Sequence, residues 1–264
     1  MNLSGIAAGA QRGTRSRSHW LAVIVAAALA ALAWHGPIAQ WASYHDFADG
    51  RAWLGVPNAA NVLSNLPFAL IGAWGVWRLS LFGAAAPAAP SQRAWGCFAL
   101  AVACTTFGSA AYHWAPSDAS LVLDRLPIAW ACAALSCALL SERVDAAWGR
   151  VSVLGGAFAV ATASVLAWWL TGDLRAYAAV QFLPMLLVPA ALALRLAPTS
   201  ERTLTASEWW TVLGLYGLAK LMEAADATVF DALGLVSGHT LKHLLAAGAA
   251  WWLIASAINS GSRR

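Results

Sequence analysis

The sequence predicts an all-α membrane protein, a seven-helix transmembrane bundle preceded by one extra N-terminal transmembrane helix. Hydrophobic residues make up 60% of the 264 residues, charged residues make up only 11%, and the mean hydropathy is +0.63. Soluble domains carry about 25% charged residues, so this composition does not suit a water-facing surface. It argues against a soluble globular enzyme, a disordered chain and a nucleic-acid-binding protein.

Eight apolar stretches approach the length of about 20 residues that a helix needs to cross a bilayer. Short polar connections with turn residues separate them, such as Ala-Pro-Ala-Ala-Pro at 86–90. The sequence gives no sign of an internal repeat or of a pair of helices broken by glycine or proline. The predicted spans are residues 20–35, 59–79, 94–113, 118–141, 149–170, 176–196, 208–230 and 239–258.

Two interpretations of the first span stay open. Arg12, Arg15 and Arg17 precede it, and Ala31-Leu32-Ala33 resembles a signal-peptidase site. We favour an uncleaved anchor over a cleaved signal peptide. The predicted organisation is then a basic cytoplasmic tail (1–19), the extra helix (20–35), a seven-helix domain (44–258) and a second cytoplasmic tail (259–264).

The distribution of arginines predicts the orientation. With eight alternating spans and a cytoplasmic N-terminus, eleven arginines fall on the cytoplasmic side and two on the other. Both termini are therefore predicted to be cytoplasmic. The cytoplasmic set is Arg12, Arg15, Arg17, Arg78, Arg93, Arg143, Arg150, Arg195, Arg202, Arg263 and Arg264, and the opposite set is Arg51 and Arg175.

The four cysteines lie inside apolar stretches and form no Cys-x-x-Cys pair. They are predicted to be small buried residues, not disulfides or zinc ligands. They are Cys97, Cys104, Cys132 and Cys137.

Ionisable side chains within the spans need a reason to be there, because a charged group costs about 2.5–3.5 kcal/mol to insert at a helix centre. Lys220 and Glu223 have the spacing of an ion pair within one helix, with Asp226 and Lys242 as further partners from the seventh and eighth spans. Asp124 and Arg125 are neighbours and allow a structural ion pair, although neighbours point to different faces of a helix.

The remaining polar groups come to one level, in the outer leaflet of the predicted topology. His239 and His243 have the i, i+4 spacing that lets two imidazoles bind one metal ion, and His113 ends the third span at the same level. Three neutral nitrogen ligands with a fourth position left for water are typical of catalytic zinc sites. Ser109 projects from the same helix face as His113, and Asp124 lies within the first two turns of the next span.

Each feature has a simpler interpretation when taken alone. A lone intramembrane histidine more often makes a hydrogen bond between helices, and a His-x3-His pair occurs on many helix surfaces. The convergence of three histidines, a serine and an aspartate at one depth favours the zinc site.

These residues resemble the motifs of the alkaline ceramidase family, which belongs to a seven-helix hydrolase superfamily that includes the adiponectin and progestin receptors. The matching stretches are Phe107–His113, Leu123–Pro127 and Ser237–His243, and Asn61–Pro67 looks like the family's first-helix segment. The resemblance covers roughly residues 44–258.

The resemblance implies that His113, His239 and His243 hold zinc and that Ser109 and Asp124 are the catalytic positions. Asn61 and Asn65 would support the site. The animal enzymes also carry an acidic calcium-binding segment, of which this chain has only Asp46, Asp49 and Asn58. These three residues are predicted to form either a calcium site or a structural loop with Arg51.

The resulting hypothesis is a zinc-dependent intramembrane hydrolase that cleaves the amide bond of ceramide or a related N-acyl lipid. A multi-pass protein of a bacterial inner membrane is expected, with the site in the periplasmic leaflet and no obligate protein partner. Two alternatives are a receptor-like or scaffold member of the superfamily with a structural zinc site, and a proton-coupled transporter. The absence of a repeat and of broken helices argues against the transporter.

Overall fold

A computed structural model describes residues 3–79 and 91–262, and this part of the chain is about 79% helical without strands. The turn predicted at 86–90, Arg263 and Arg264 lie outside the described residues. The helices are α1 (Leu3–His35), α2 (Ala59–Leu63), α3 (Leu66–Arg78), α4 (Gln92–Trp114), α5 (Asp118–Arg143), α6 (Val151–Thr171), α7 (Arg175–Ala193), α8 (Ala206–Ala224), α9 (Asp226–Leu233) and α10 (Gly238–Ser262).

Seven helical segments in the described ranges are long and apolar enough to cross a membrane, which identifies a multi-pass integral membrane protein. They are Arg17–His35, Ala59–Arg78 (α2 and α3 together), Gln92–Trp114, Asp118–Arg143, Val151–Thr171, Arg175–Ala193 and Gly238–Ser260. The count of eight spans and the cytoplasmic termini remain predictions. Segments assigned to tails are partly helical, because α1 begins at Leu3 and α10 extends to Ser262.

The predicted span 208–230 is wrong as a continuous helix. The structure breaks it at Ala225 into α8 and α9, and α8 is not among the seven apolar segments. The break makes room for the start of α10, since a Cβ at Gly238 would lie 2.1 Å from the carbonyl oxygen of Met222. Glycine allows that close approach.

The span 59–79 is also interrupted, between α2 and α3. Pro67 has no N–H to donate to the carbonyl of Leu63, and its ring disfavours a continuous helix at that point. The side chains of Ser64 and Asn65 instead donate to the carbonyl of Asn61, at 3.0 and 2.8 Å. The expectation of unbroken helices is therefore wrong in two places, at α2/α3 and at α8/α9.

The core lies where α4 packs between α3 and α5, with α10 beside α3 and α8. Alanines are prominent in it, including Ala94, Ala99 and Ala134, and small residues let membrane helices approach closely. In contrast, α7 and α8 contact each other only sparsely, and α1 contacts mainly α7. All four cysteines are free, but the prediction that they are buried holds only for Cys137, since the other three are partly exposed.

Candidate metal centre and its surroundings

Three histidines from two helices meet at one end of the bundle. His113 lies in the last turn of α4, while His239 and His243 lie in the first two turns of α10. All three are buried, with exposed fractions of 1%, 8% and 5%. Their ligand atoms lie within 4.8 Å of one another, so the cluster can hold a metal ion. The predicted convergence of these histidines is confirmed.

The spacing of the ring nitrogens suits a small tetrahedral ion. The Nε2 atoms of His113 and His239 are 3.3 Å apart. Two nitrogens bound to one tetrahedral zinc at 2.0–2.1 Å would stand about 3.3 Å apart. Imidazole also suits copper, iron and nickel, so the donor set could hold a metal ion but does not select zinc.

Neighbouring polar groups orient the rings. Ser64 Oγ lies 2.8 Å from His243 Nδ1, which leaves Nε2 of that ring for the cluster. The Asn58 amide donates to the carbonyl of His113 at 2.8 Å and fixes the end of α4. Such outer partners commonly set the tautomer and direction of metal-binding histidines. Among the described residues, Nδ1 of His113 has no partner.

Ser109 and Asp124 form a second polar group one helical turn deeper than His113. Both are buried, and the Ser109 hydroxyl and the Asp124 carboxylate lie close enough to interact. The helices α4 and α5 approach closely beside these residues. A Cβ at Gly108 would lie only 2.1 Å from the carbonyl oxygen of Leu123, so only glycine fits there. Within the described part of the chain, Asp124 makes no direct hydrogen bond to the histidines.

Asn61 and Asn65 are fully buried around the interruption between α2 and α3. The Asn61 side-chain oxygen accepts from the Thr240 hydroxyl of α10 at 2.9 Å, and the Asn65 carbonyl accepts from the Thr106 hydroxyl of α4 at 3.2 Å. They thus connect the interrupted helix to both helices that carry the histidines.

The charged residues near the cluster are paired largely as expected. Glu223 accepts from Lys220 and, at 2.9 Å, from Lys242, so one carboxylate bridges α8 and α10. No direct ion pair joins Asp124 and Arg125 in the structure as described. The Arg125 guanidinium instead donates to Gln40 and lies over aromatic rings, with Trp168 nearest at 3.8 Å.

The loop predicted to bind calcium or to be structural is held by Arg51. The Arg51 guanidinium pairs with Asp49 at 2.8 Å and donates to the carbonyls of Gly234 and Leu235. The hydrogen bonds from Arg51 hold the pKa of the Asp49 carboxyl below its usual range, although burial opposes this shift. Asp46 is exposed. Calcium binding here remains a prediction, and the carboxylate of one candidate ligand, Asp49, is already paired with Arg51.

Searches with the sequence find no matching family model and no matching curated protein.

Three contributors to the centre escaped the sequence reasoning. Phe47 packs its ring on two of the histidines, and Ser64 contacts the third. Asp226, expected to pair with a lysine, accepts from the backbone N–H groups of His239 and Ala48 at 2.6 and 3.0 Å. The sequence offers one hint for Ser64, which is a polar residue close to the proline that interrupts its helix. No sequence pattern indicates that Phe47 contacts the histidines.

Proposed function

We propose that this protein is a zinc-dependent intramembrane amidase that cleaves ceramide or a related N-acyl lipid to a fatty acid and a long-chain base. The observation that carries the proposal is the buried three-histidine cluster, with the buried pair Ser109 and Asp124 on the helices α4 and α5. The resemblance to alkaline ceramidases assigns the same residues to the same roles.

Zinc held by His113, His239 and His243 would supply Lewis acidity, polarising a carbonyl and making a bound water more acidic. Asp124 orients the attacking water, accepts its proton as general base and returns a proton to the leaving amine. Ser109 donates a hydrogen bond to the oxygen of the scissile carbonyl as negative charge develops there. One water is consumed, the C–N bond breaks, and an acid and an amine result.

The surroundings of Ser109 and Asp124 favour a lipid substrate. An apolar groove of about 270 Å³ lies between α4 and α5, and its lining includes Gly108 and Leu123, the sequence neighbours of Ser109 and Asp124. It has room for part of an acyl chain. The sparse packing between α7 and α8 is a second route by which a lipid could enter from the bilayer. The groove is lined by Cys104, Phe107, Gly108, Leu123, Leu126, Pro127 and Trp130.

Ser109 as an acylated nucleophile is a weaker proposal. A nucleophilic serine needs an adjacent base, which in most such enzymes is histidine. Here the partner of Ser109 is Asp124, and the three nearby histidines face one another.

One observation supports the alternative of a proton-coupled transporter. The helix interruptions at α2/α3 and α8/α9 are of the kind found near transporter binding sites. Against it, the histidines, Ser109 and Asp124 gather at one end of the bundle and do not line a path across it. In the scaffold alternative, the same histidines would hold a structural metal ion and Asp124 would have no catalytic role.

The test is metal content by mass spectrometry on detergent-purified protein, followed by fatty-acid release from N-acyl lipids. We expect about one zinc per chain in the wild type, near none in His243→Ala, and wild-type content in the control His35→Ala. Asp124→Asn should keep its zinc and lose activity by about 10²–10⁴-fold, as expected for a general acid–base.

Absence of zinc from unchelated wild type would overturn the proposal. A zinc-loaded wild type with no hydrolytic activity, or an Asp124→Asn variant as active as wild type, would leave the scaffold alternative standing.

A further inference from the structure

A short loop before α2 covers the histidine cluster from outside the predicted spans. The Phe47 ring packs edge-on against His113 and His239, with centroid distances of 4.6 and 4.7 Å. It also meets Tyr112 at 5.8 Å. Phe47 is itself only partly buried, so its ring lies between the histidines and the exterior.

Two anchors hold this loop against the helix that carries two of the histidines. The Asp226 carboxylate accepts from Ala48 N through one oxygen and from His239 N through the other. One residue therefore fixes both the neighbour of Phe47 and the start of α10. Arg51 adds the second anchor, from Asp49 to the carbonyls before α10.

The contacts of Phe47 differ from those of an ordinary core residue. It has no place in a transmembrane helix, and its closest ring contacts are two candidate metal ligands. A phenylalanine ring supplies a large rigid apolar surface. At this position it would keep water and soluble solutes away from the ring edges of His113 and His239 that it covers.

We propose that Phe47 is a cap on the metal centre, which slows exchange of the metal with the aqueous phase and restricts the centre to substrates that arrive from the bilayer. This inference rests on the proposed function and adds substrate selection to it. Asp226 is the positioning residue for the cap.

The first experiment measures the rate at which zinc passes from the loaded, detergent-purified protein to a colorimetric chelator. We expect Phe47→Ala to release zinc at least about tenfold faster than wild type, in line with the effect of removing outer partners of a metal site. Phe47→Leu, which keeps much of the apolar volume, should lie between them. Phe158→Ala removes a partly buried phenylalanine on α6 and should match wild type.

The second experiment compares hydrolysis of a water-soluble short-chain N-acyl amine with hydrolysis of a long-chain N-acyl lipid in vesicles. Phe47→Ala should raise the ratio of the first rate to the second, because the soluble amide gains access from the aqueous side. A purely structural role for Phe47 would lower both rates together.

The outcomes separate the two proposals. A wild type without zinc overturns the proposed function itself. If wild type, Phe47→Leu and Phe47→Ala all bind zinc and release it at the same rate, the proposal that Phe47 is a cap is overturned. The proposed hydrolase function is then unaffected. If Phe47→Ala is not recovered folded, Phe47→Val takes its place, and release must still accelerate as the side chain shrinks.

Discussion

The two ends of the bundle bury polar side chains in different ways. At the end opposite the histidines, Glu142 accepts from Trp95 Nε1 at 2.8 Å and from the Leu204 N–H at 3.0 Å. Its neighbour Arg143 donates to the carbonyls of Leu196 and Leu204. Each carboxylate oxygen of Glu142 thus has a partner from elsewhere in the chain.

At the histidine end, some side-chain nitrogens have no hydrogen-bond partner among the described residues. Two Nε2 atoms face each other at 3.3 Å, and Nδ1 of His113 has no partner in the described part of the chain. Buried polar groups are normally hydrogen-bonded, and exceptions call for an explanation such as an ion. The comparison teaches that both carboxylate oxygens of Glu142 are satisfied by the chain, although Nε of the neighbouring Arg143 has no partner among the described residues. The three histidines instead bring together ligand atoms that could hold a metal ion.

The largest effect expected outside the metal site is at Glu142. Glu142→Ala leaves the Trp95 and Leu204 donors unpaired in an apolar interior, and we expect the free energy of unfolding to fall by about 3 kcal/mol. Unfolding in detergent measures this loss, with the exposed Glu201→Ala as control. Zinc content of the folded fraction should stay at the wild-type value. If folded Glu142→Ala lost zinc, the expectation that Glu142 does not influence the histidine cluster would be contradicted.

Ser64→Ala tests the outer partner of the metal site. Removing the hydroxyl that contacts His243 Nδ1 should weaken zinc affinity by about 10–100-fold, the usual effect of losing such a partner. Competition with a chelator of known affinity measures it. Ser136→Ala deletes a buried hydroxyl that donates only within its own helix, to Cys132, and should leave affinity unchanged. Equal affinities in the two variants would show that Ser64 does not orient the ring.

The smallest effect is expected at Arg51, whose ion pair with Asp49 lies outside the spans. The pKa of Asp49 is lowered in the folded protein, so the pair stabilises fully above the unfolded value of about 3.9 and is lost as pH falls through the folded value. Arg51→Gln should therefore unfold at a slightly lower temperature than wild type at pH 7, and this difference should shrink as the pH falls below the unfolded value. A difference independent of pH would show that the carbonyl contacts of Arg51 matter and the ion pair does not.

The sequence predicted what depends on composition and on spacing within a helix. Long apolar stretches predicted the spanning helices, and the i, i+4 histidines predicted two ligands on one face of α10. The break at Ala225 was missed because it depends on how closely Gly238 packs against Met222. The role of Asp226 was misassigned because a sequence does not reveal whether a carboxylate will accept from a lysine or from a backbone N–H.

The anchoring of α10 has a consequence for how the protein is made. The carboxylate of Asp226 connects Ala48 to His239, and His113 clusters with two histidines that follow it by more than a hundred positions. Chains fold from the N-terminal end during synthesis. The three-histidine cluster therefore forms only after α10 has been synthesised. A nascent chain that stalls before α10 carries only His113 of this cluster and lacks the arrangement that could hold a metal ion.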